Sequence, residues 1–383
     1  MLRKKRWLIK KGPLVISLLL VLFLIWLPTG YEGAVIYQGT DHCAAEVLGA
    51  DNSHIIDTGL VRSGEQSCTL RLLNGRFKGQ EVEGYNILAG SLEADKIFAV
   101  GDKALVVVHF DDETILSVNM IDHMRLGKEA VLAGIFAGLL FLVAGWTGLR
   151  AILSFVLTVL MLWKVLVPCY LSGLSPVPVG LIVTLGLVIM TISLVYGFER
   201  RALAAISGSS LGLTVTALAG IVSTKWLLIH GAVMSYSESL LYSGYQHLNL
   251  TQIFMASIFI GSSGALMDLA VDITSAVQEV VEKKPDISRR EAVCSGLHVG
   301  RAAMGTMTTT LLLAYSGGYI ALLMVFMAQG TPIDNILNYK YVAAEMIDTI
   351  VGSAGLITVA PFTALTSGCL LAGRRLRVKI DEA

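Results

Sequence analysis

The chain has 383 residues, of which 54% are hydrophobic and only 15% are charged. Soluble domains carry about 25% charged residues, so this composition, with a mean hydropathy of +0.69, excludes a soluble protein and predicts an integral membrane protein. The 29 basic and 29 acidic residues balance overall, but they are unevenly placed along the chain.

Residues 1–30 have the pattern of a membrane anchor. Six lysines and arginines between Arg3 and Lys11 precede an apolar run from Leu14 to Leu27. Such a segment is either a cleaved signal peptide or an uncleaved signal-anchor helix. Because the sequence after the apolar run offers no Ala-x-Ala-like cleavage site, we prefer the signal-anchor helix.

Residues 31–128 have the composition of a soluble domain and predict an extracytoplasmic all-β domain, either a sandwich or a small barrel. Strand-like runs such as Cys68–Leu73 and Lys103–Phe110 are separated by turns rich in Gly and Asp. Cys43 and Cys68 both lie here, where they either form a disulfide in an oxidising compartment or remain two unpaired thiols. The histidines of the domain lack the spacing of metal ligands.

Residues 129–383 predict a bundle of about seven transmembrane helices, which makes about eight for the whole chain. Each apolar run approaches the ~20 residues that a span needs, and the runs centre near Phe141, Leu157, Val188, Leu213, Phe259, Leu312 and Ile357. Basic residues are concentrated in alternate connections, namely Arg150, Arg200, Arg201, Lys283, Lys284, Arg289, Arg290 and the tail with Arg374, Arg375, Arg377 and Lys379. The positive-inside rule therefore places Ser288, Arg377 and both termini in the cytoplasm, and Gly101 outside.

A polar stripe runs along one apolar segment. Its members recur at spacings of three and four residues, which places them on one face of a helix: Ser257, Gly261, Gly264, Asp268, Asp272, Ser275 and Glu279. A carboxylate at membrane depth costs about 2.5 kcal/mol or more, so this face is expected to contact protein or water and not lipid. Asp268 and Asp272 are the predicted central ion-binding or proton-carrying groups, and at least one of them is expected to hold a proton near neutral pH.

The next helix presents a polar set that could support the stripe. Ser288 is a candidate N-cap, and His298, Arg301 and Thr308 follow on one face. A salt bridge between Arg301 and Asp272 or Glu279 would make the charges tolerable at membrane depth. The alternative is that this pair only holds the two helices together.

The last predicted span carries a second acidic pair, Glu345 and Asp348. Together with Asp268, Asp272 and Glu279 they predict carboxylates ordered by depth, as stepwise passage of protons or cations requires. Alternatively, Glu345 lies in the headgroup zone and needs no function. Pro361 is expected to interrupt this helix.

Two other segments allow alternatives. Residues 225–249 are too polar to span, and they predict either a segment that re-enters the membrane or, by preference, an amphipathic helix on the outer interface. Gly261–Gly264 matches the Gly-x-Ser-Gly signature of rhomboid intramembrane proteases, which makes a protease a remote alternative. No phosphate-binding loop of the Gly-x-x-x-x-Gly-Lys-Ser/Thr type exists, so ATP hydrolysis is not expected.

Several motifs of the membrane part resemble the YibE/F-like family of bacterial membrane proteins. They are Met267–Ile273, Val299–Arg301, Met304–Leu311, Leu313–Tyr315 and Ala328–Pro332, and the turn Gly75–Gly79 resembles that of the longer, YibE type. The resemblance implies a multi-pass protein of the bacterial plasma membrane. Shorter relatives imply a second membrane subunit of the same family, or a homo-oligomer, as a partner besides the lipid bilayer.

The residues favour a non-enzymatic role as a transporter or permease component coupled to protons or cations. No cofactor and no nucleic-acid partner is expected. The alternative is an envelope assembly or scaffold protein whose outer domain recruits partners while buried charges organise the bundle. A water-accessible path past Asp268 would favour the first function, and acids fully paired within a closed core would favour the second.

Overall fold

A computed structural model describes residues 2–31 and 39–372, with side chains from Lys11 onward. The basic tail predicted to be cytoplasmic, including Arg377, lies outside these residues. The chain forms two compact units, one of Tyr31–Val143 and the other of Met1–Gly30 with Ala144–Ala383.

The first unit contains a six-stranded, mainly antiparallel β-barrel. The expected all-β domain is therefore present, and of the two forms predicted for it the barrel is correct. The strands are β1 Thr40–Asp51, β2 Ile55–Asp57, β3 Arg62–Leu72, β4 Glu81–Ala89, β5 Lys103–Asp111 and β6 Thr114–His123. The sheet order is β1-β5-β6-β4-β3-β2, and β1 also pairs with β3, which closes the sheet. Without the short β2, this is the strand order of a five-stranded Greek-key barrel of the OB type, including the parallel contact between β4 and β6.

Alternation along the strands fills the barrel. Every second residue of β3, from Gln66 to Leu72, is buried, and so is every second residue of β4 from Gly84 to Leu88. At one end the expected turn around Gly75 reverses the chain with φ +80°, and Asp41 accepts a hydrogen bond from the Arg76 amide at 2.7 Å. The adjacent Phe77 is buried and packs edge-on against Phe110 at 5.4 Å.

The two cysteines of the barrel are free and buried. The register pairs Cys68 of β3 with Ala50 of β1, seven residues along the strand from Cys43. At about 3.3 Å per residue this separation is about 23 Å, far beyond the reach of a disulfide. Of the two alternatives that the sequence left open, the unpaired thiols are correct.

The helices are α1 Leu2–Trp26, α2 Leu126–Met161, α3 Val167–Leu171, α4 Pro176–Tyr196, α5 Arg200–Trp226, α6 Ser237–Tyr242, α7 Leu250–Lys283, α8 Arg289–Ser316, α9 Ile320–Ala328, α10 Ile333–Asn338 and α11 Lys340–Leu371. Within the described residues, six helical segments are long and apolar enough to cross a membrane, and a shorter apolar helix covers Lys11–Trp26. Of the six, Leu126–Leu171 is 46 residues long and bends at Gly145, whose φ of 53° and ψ of −129° are not helical. A π-helical turn, Leu162–Leu166, joins α2 to α3.

In the second unit, α11 packs against α5, α7 and α8. Helix α7 is parallel to α11, because its Ser262 is level with Gly352 and its Thr274 hydrogen-bonds Ser367 at 3.0 Å. Helix α8 is antiparallel to α7, since Gly296 packs on Val277 and Gly300 on Ile273. Helices α4, α7 and α11 therefore point one way and α5 and α8 the other, as alternating spans require.

Two expectations about the helices were wrong. Helix α11 continues through Pro361 to Leu371 without a break, because the residues around the proline, from Val359 to Ala364, are largely buried against α5 and α8 and hold it in place. Residues 225–249 do not form the single amphipathic helix that we preferred, but a 3₁₀ turn at Gly231–Val233 and the six-residue α6, joined by turns.

Candidate functional site

The polar stripe predicted on α7 is a single exposed face of that helix. All seven members, Ser257, Gly261, Gly264, Asp268, Asp272, Ser275 and Glu279, are exposed in the isolated chain. The opposite face, which includes Leu266, Leu269 and Ile273, is fully buried in the bundle. From Ser257 to Ser275 the stripe forms the floor of an open groove, which we call the α7 groove. Glu279 lies beyond the groove, one turn from the end of α7.

Tyrosines from two neighbouring helices flank the α7 groove. On one side, the hydroxyl of Tyr196 from α4 lies 2.7 Å from the Val271 carbonyl and 2.6 Å from Ser275 Oγ. On the other side, Tyr315 of α8 lies against Gly261, so closely that a Cβ built there would be 2.8 Å from its hydroxyl. The groove thus runs along α7 between α4 and α8.

Neither central carboxylate has a basic partner in the part of the chain that the structure describes. Within the described residues, no ion pair involves Asp268 or Asp272, although they lie one turn apart on the same face. Tyr196 lies near enough to Asp272 to interact with it electrostatically. The guanidinium of Arg201 stacks 4.9 Å from the centre of the Tyr196 ring, but its charge is paired with Glu199 at 3.0 Å.

The expected salt bridge of Arg301 is absent, which corrects that prediction. Arg301 is exposed and makes no ion pair with any residue that the structure describes. Glu279 instead pairs with Lys283 of its own helix at 2.6 Å, and both side chains are exposed at the end of α7. Glu279 and Lys283 are four residues apart on one helix, a spacing that brings their side chains together. A salt bridge to Arg301 would instead depend on the distance between α7 and α8. Glu279 is thus removed from the groove.

The other supporting residues bond within their own helix. His298 is exposed, and its Nδ1 lies 2.8 Å from the Cys294 carbonyl oxygen. Thr308 donates to the Met304 carbonyl at 2.7 Å. Ser288 caps α8 as predicted, in a capping box with Glu291.

Glu345 and Asp348 form a second, more enclosed acidic pair near the start of α11. Both are half-buried, and Glu345 Oε1 and the Tyr315 hydroxyl are buried polar atoms without hydrogen-bond partners among the described residues. Tyr315 and Tyr319 lie close enough to interact electrostatically with both carboxylates. Neither acid is in an ion pair within the described part of the chain.

The helix register gives the spacing between the two acidic pairs. Because Gly352 is level with Ser262, Asp348 is level with about residue 258 of α7. Asp268 is about ten residues further along, or about 15 Å at 1.5 Å per residue. Tyr315 belongs to both regions, since it contacts Gly261 and faces the Glu345 pair. Along the helix axes the four acids therefore follow one another in the order Glu345, Asp348, Asp268 and Asp272, and their depth in a membrane stays a prediction.

Sequence reasoning missed the two groove tyrosines. Tyr196 lies at the end of an apolar run, a position typical of an aromatic residue at the membrane interface. Tyr315 was noted only as part of a family motif. The hydroxyl of a buried tyrosine usually has a hydrogen-bond partner. A tyrosine within an apolar segment therefore indicates a nearby polar group, and this pattern could have identified both residues.

The serine and histidine of a rhomboid-like dyad do not come together. Ser263 donates to the Ile260 carbonyl at 2.7 Å, and His298 bonds the backbone of α8. Because Gly300 is level with Ile273, His298 is level with about residue 275, about 18 Å along the helix from Ser263. Within the described residues, no group of three or more His, Cys, Asp and Glu side chains is placed to hold a metal ion.

The barrel has a pocket of about 330 Å³ between β2 and the β4–β5 connection, lined in part by Leu60, Leu88 and Leu92. Its carboxylates are engaged in local structure. The pKa of Asp57 is lowered by its hydrogen bond with Arg62 and by the Gly59 amide, and that of Asp95 is lowered chiefly by the Ala89 amide. Both carboxylates of this pocket are therefore held in local hydrogen bonds.

Comparisons with known proteins agree with the membrane part of the chain. A family model described as YibE/F-like protein matches residues 132–373, which is more than half of the 383 residues. The match begins after the barrel. Neither the curated proteins nor the solved structures include a significant match to the chain.

Proposed function

The chain belongs to the YibE/F-like family, and from the geometry of its helices we propose that it is a component of a transporter or permease in a bacterial plasma membrane, coupled to protons or cations. The α7 groove is the proposed ion path, with Asp268 and Asp272 as its central groups. Glu345 and Asp348 form a second station.

Eight spans are compatible with the lengths of the helices. The 46-residue segment Leu126–Leu171 would measure about 69 Å as a straight helix, about twice the ~30 Å hydrocarbon thickness of a bilayer. A turn at Gly145 divides it into two lengths that each suffice for one span. With the apolar helix at Lys11–Trp26 the total becomes eight, and the basic connections then favour a cytoplasmic location for both termini.

One observation carries the proposal: Asp268 and Asp272 are exposed on the groove and have no basic partner within the described residues. An unpaired carboxylate at membrane depth costs about 2.5–3.5 kcal/mol on insertion scales. A purely structural carboxylate would be expected to recover this cost through a salt bridge. Asp268 and Asp272 form no such salt bridge within the described residues, and a bound proton or cation together with water in the groove explains them better.

The second station supports a stepwise path. Glu345 and Asp348 share a half-buried site with the unpartnered hydroxyl of Tyr315. Tyr315 also contacts Gly261 at the groove floor, which supports a role for its hydroxyl in passing a proton between the two acidic pairs through water. Separate stations along one path let an ion pass without one deep binding trap.

The rival function is a non-transporting scaffold of the cell envelope. It would use the barrel to recruit partners and the acids to organise the bundle. The unpaired state of all four acids argues against it. The separation of Ser263 from His298 argues likewise against a protease.

Ion flux in proteoliposomes tests the proposal. Asp268→Asn and Asp272→Asn preserve side-chain volume and hydrogen bonding but remove the titrating group, so each should abolish pH-driven or cation-driven flux without lowering the amount of protein in the membrane. Glu279→Gln is the matched control, because its carboxylate pairs with Lys283 outside the groove, and it should retain flux. If wild-type vesicles show no flux with any coupling ion, or if both Asn variants transport normally, the transporter function is wrong.

A further inference from the structure

The exposed face of α7 and α8 carries charges of both signs that are unpaired within the described residues. Asp268 and Asp272 lie on α7, and Arg301 is exposed on α8. Each is poorly compatible with lipid at membrane depth. The two signs occur on adjacent helices of one surface, so the surface is complementary to itself.

Arg301 and Asp272 lie at the same level along the helix axes. A Cβ built at Gly300 would lie only 3.0 Å from the side chain of Ile273. Gly300 and Ile273 are therefore level, and so are their sequence neighbours Arg301 and Asp272. Arg301 and Tyr315 are fourteen residues apart. At about 100° per residue this separation is about 40° short of four full turns, so both side chains leave α8 in nearly the same direction. Tyr315 contacts the groove floor at Gly261, and Arg301 therefore flanks the same groove, yet it makes no ion pair there.

Helix α8 has little cover from its own chain. Of its 28 residues only Ala292, Gly296, Gly300 and Leu311 are buried, whereas α7 buries thirteen of its 34 residues. Helix α8 exposes Gly305, Thr309 and His298 beside Arg301. Small and hydroxyl-bearing residues are typical of contacts between helices within a membrane.

We infer that the α7–α8 face is a two-fold interface with a second copy of this chain, in which Arg301 of each copy pairs with Asp272 of the other. A two-fold axis along the membrane normal keeps every residue at its own depth, so groups that share a level in one copy can meet across the interface. In such an isologous contact residue i meets j and j meets i, so one surface supplies both charges. The second copy would enclose the α7 groove and separate it from lipid. With Arg301 of the second copy on Asp272, Asp268 would remain the central carboxylate without a basic partner, so the proposed ion path would then depend chiefly on Asp268.

The inference does not require ion movement, so it is tested by association alone. Asp272→Arg and Arg301→Asp chains should each lose self-association, because like charges then face each other across the axis. Co-expressed with different tags, the two variants should associate with each other, since both pairs of the mixed dimer are again opposite in sign. The double variant would be restored whether the pair forms between chains or within one chain, so the mixed pair decides: a pair within one chain predicts that the two single variants do not associate with each other.

Chemical cross-linking supplies a test without charge reversal. In full-length protein with Cys169, Cys294 and Cys369 replaced by Ser, Gly264→Cys puts a thiol on the stripe where no neighbour lies within 4 Å. A short bis-maleimide should link it between copies in membranes, whereas Leu218→Cys, a 59% exposed position on α5, should remain monomeric. Equal cross-linking at both positions, none at Gly264→Cys, or the absence of a mixed dimer from chains that reach the membrane would overturn the interface.

Discussion

The hydroxyl groups of Tyr196 and Ser275 lie 2.6 Å apart, across the contact between α4 and α7. Tyr196 has one proton, and the Val271 carbonyl 2.7 Å away accepts it, so Ser275 donates to the tyrosine oxygen. These bonds fix the groove beside Asp272, which directly follows Val271 and lies one turn before Ser275.

Tyr196→Phe should therefore loosen α4 from α7 while keeping the ring that stacks on Arg201. The loss of one interhelical hydroxyl should lower the free energy of unfolding by about 1 kcal/mol. Thermal unfolding in detergent measures it. Tyr242→Phe, which alters an 85% exposed tyrosine on α6, is the control and should leave the transition in place. An unchanged midpoint for Tyr196→Phe would show that the hydroxyl does not hold the helices together.

The contact between α5 and α11 depends on glycine at position 212. A Cβ there would lie 3.0 Å from the Cβ of Val359 and closer still to one of its methyl groups. Gly212→Ala should overpack this contact and lower the free energy of unfolding by about 1–3 kcal/mol. Gly186→Ala on α4 meets nothing within 4 Å and should be neutral or slightly stabilising, since alanine is the better helix former. Equal stability of the two variants would contradict the close packing.

Local patterns in the sequence predicted much of this architecture. Spacings of three and four residues placed the α7 stripe on one face because helical periodicity is independent of the partner helices. The capping box at Ser288 and Glu291 likewise needs only neighbouring residues. Turn glycines and strand-like runs located the strands for the same reason.

Features that depend on contacts between elements could not be predicted in the same way. The continuous α11 at Pro361 depends on packing from α5 and α8, which outweighs one missing hydrogen bond. The absent Arg301 bridge depends on the separation of helix surfaces by a few ångströms. The distance between Cys43 and Cys68 follows from the register of β1 and β3, which is not visible in either strand alone.

The thiols of Cys43 and Cys68 should be unreactive in the folded barrel. They are only 2% and 1% exposed, and burial raises the pKa of each from 9.0 to about 11, with the Asp41 carboxylate adding to the effect at Cys43. Iodoacetamide near pH 7 should modify them only after denaturation, whereas a cysteine introduced at the exposed Glu113 should react at once. Rapid native modification would contradict the burial.

Because the pKa of both thiols is raised in the folded barrel, we expect the free energy of unfolding of the barrel to fall at alkaline pH. Below pH 9 both are protonated in the folded and unfolded states, so their contribution is fully present. Between pH 9 and about pH 11 the unfolded chain releases these protons and the folded barrel retains them, so stability falls as pH rises. The protection from iodoacetamide should weaken over this range. A variant with Val at both positions should show a smaller alkaline loss in thermal unfolding.

The proposed orientation can be tested with single cysteines in the background that lacks Cys169, Cys294 and Cys369. Glu113→Cys reports on the barrel at an exposed hairpin, which is a better site than Gly101, whose φ of +92° strains any other residue. Asp286→Cys reports on the loop between α7 and α8 and leaves the Ser288 cap intact. Because the basic residues cluster in this loop, a membrane-impermeant maleimide added to intact cells should label only Glu113→Cys, and permeabilised cells should label both. If Asp286→Cys were labelled in intact cells, the orientation of the bundle would be the opposite of the proposed one. The Glu345 and Asp348 pair would then lie at the inner end of the proposed path and not at the outer end.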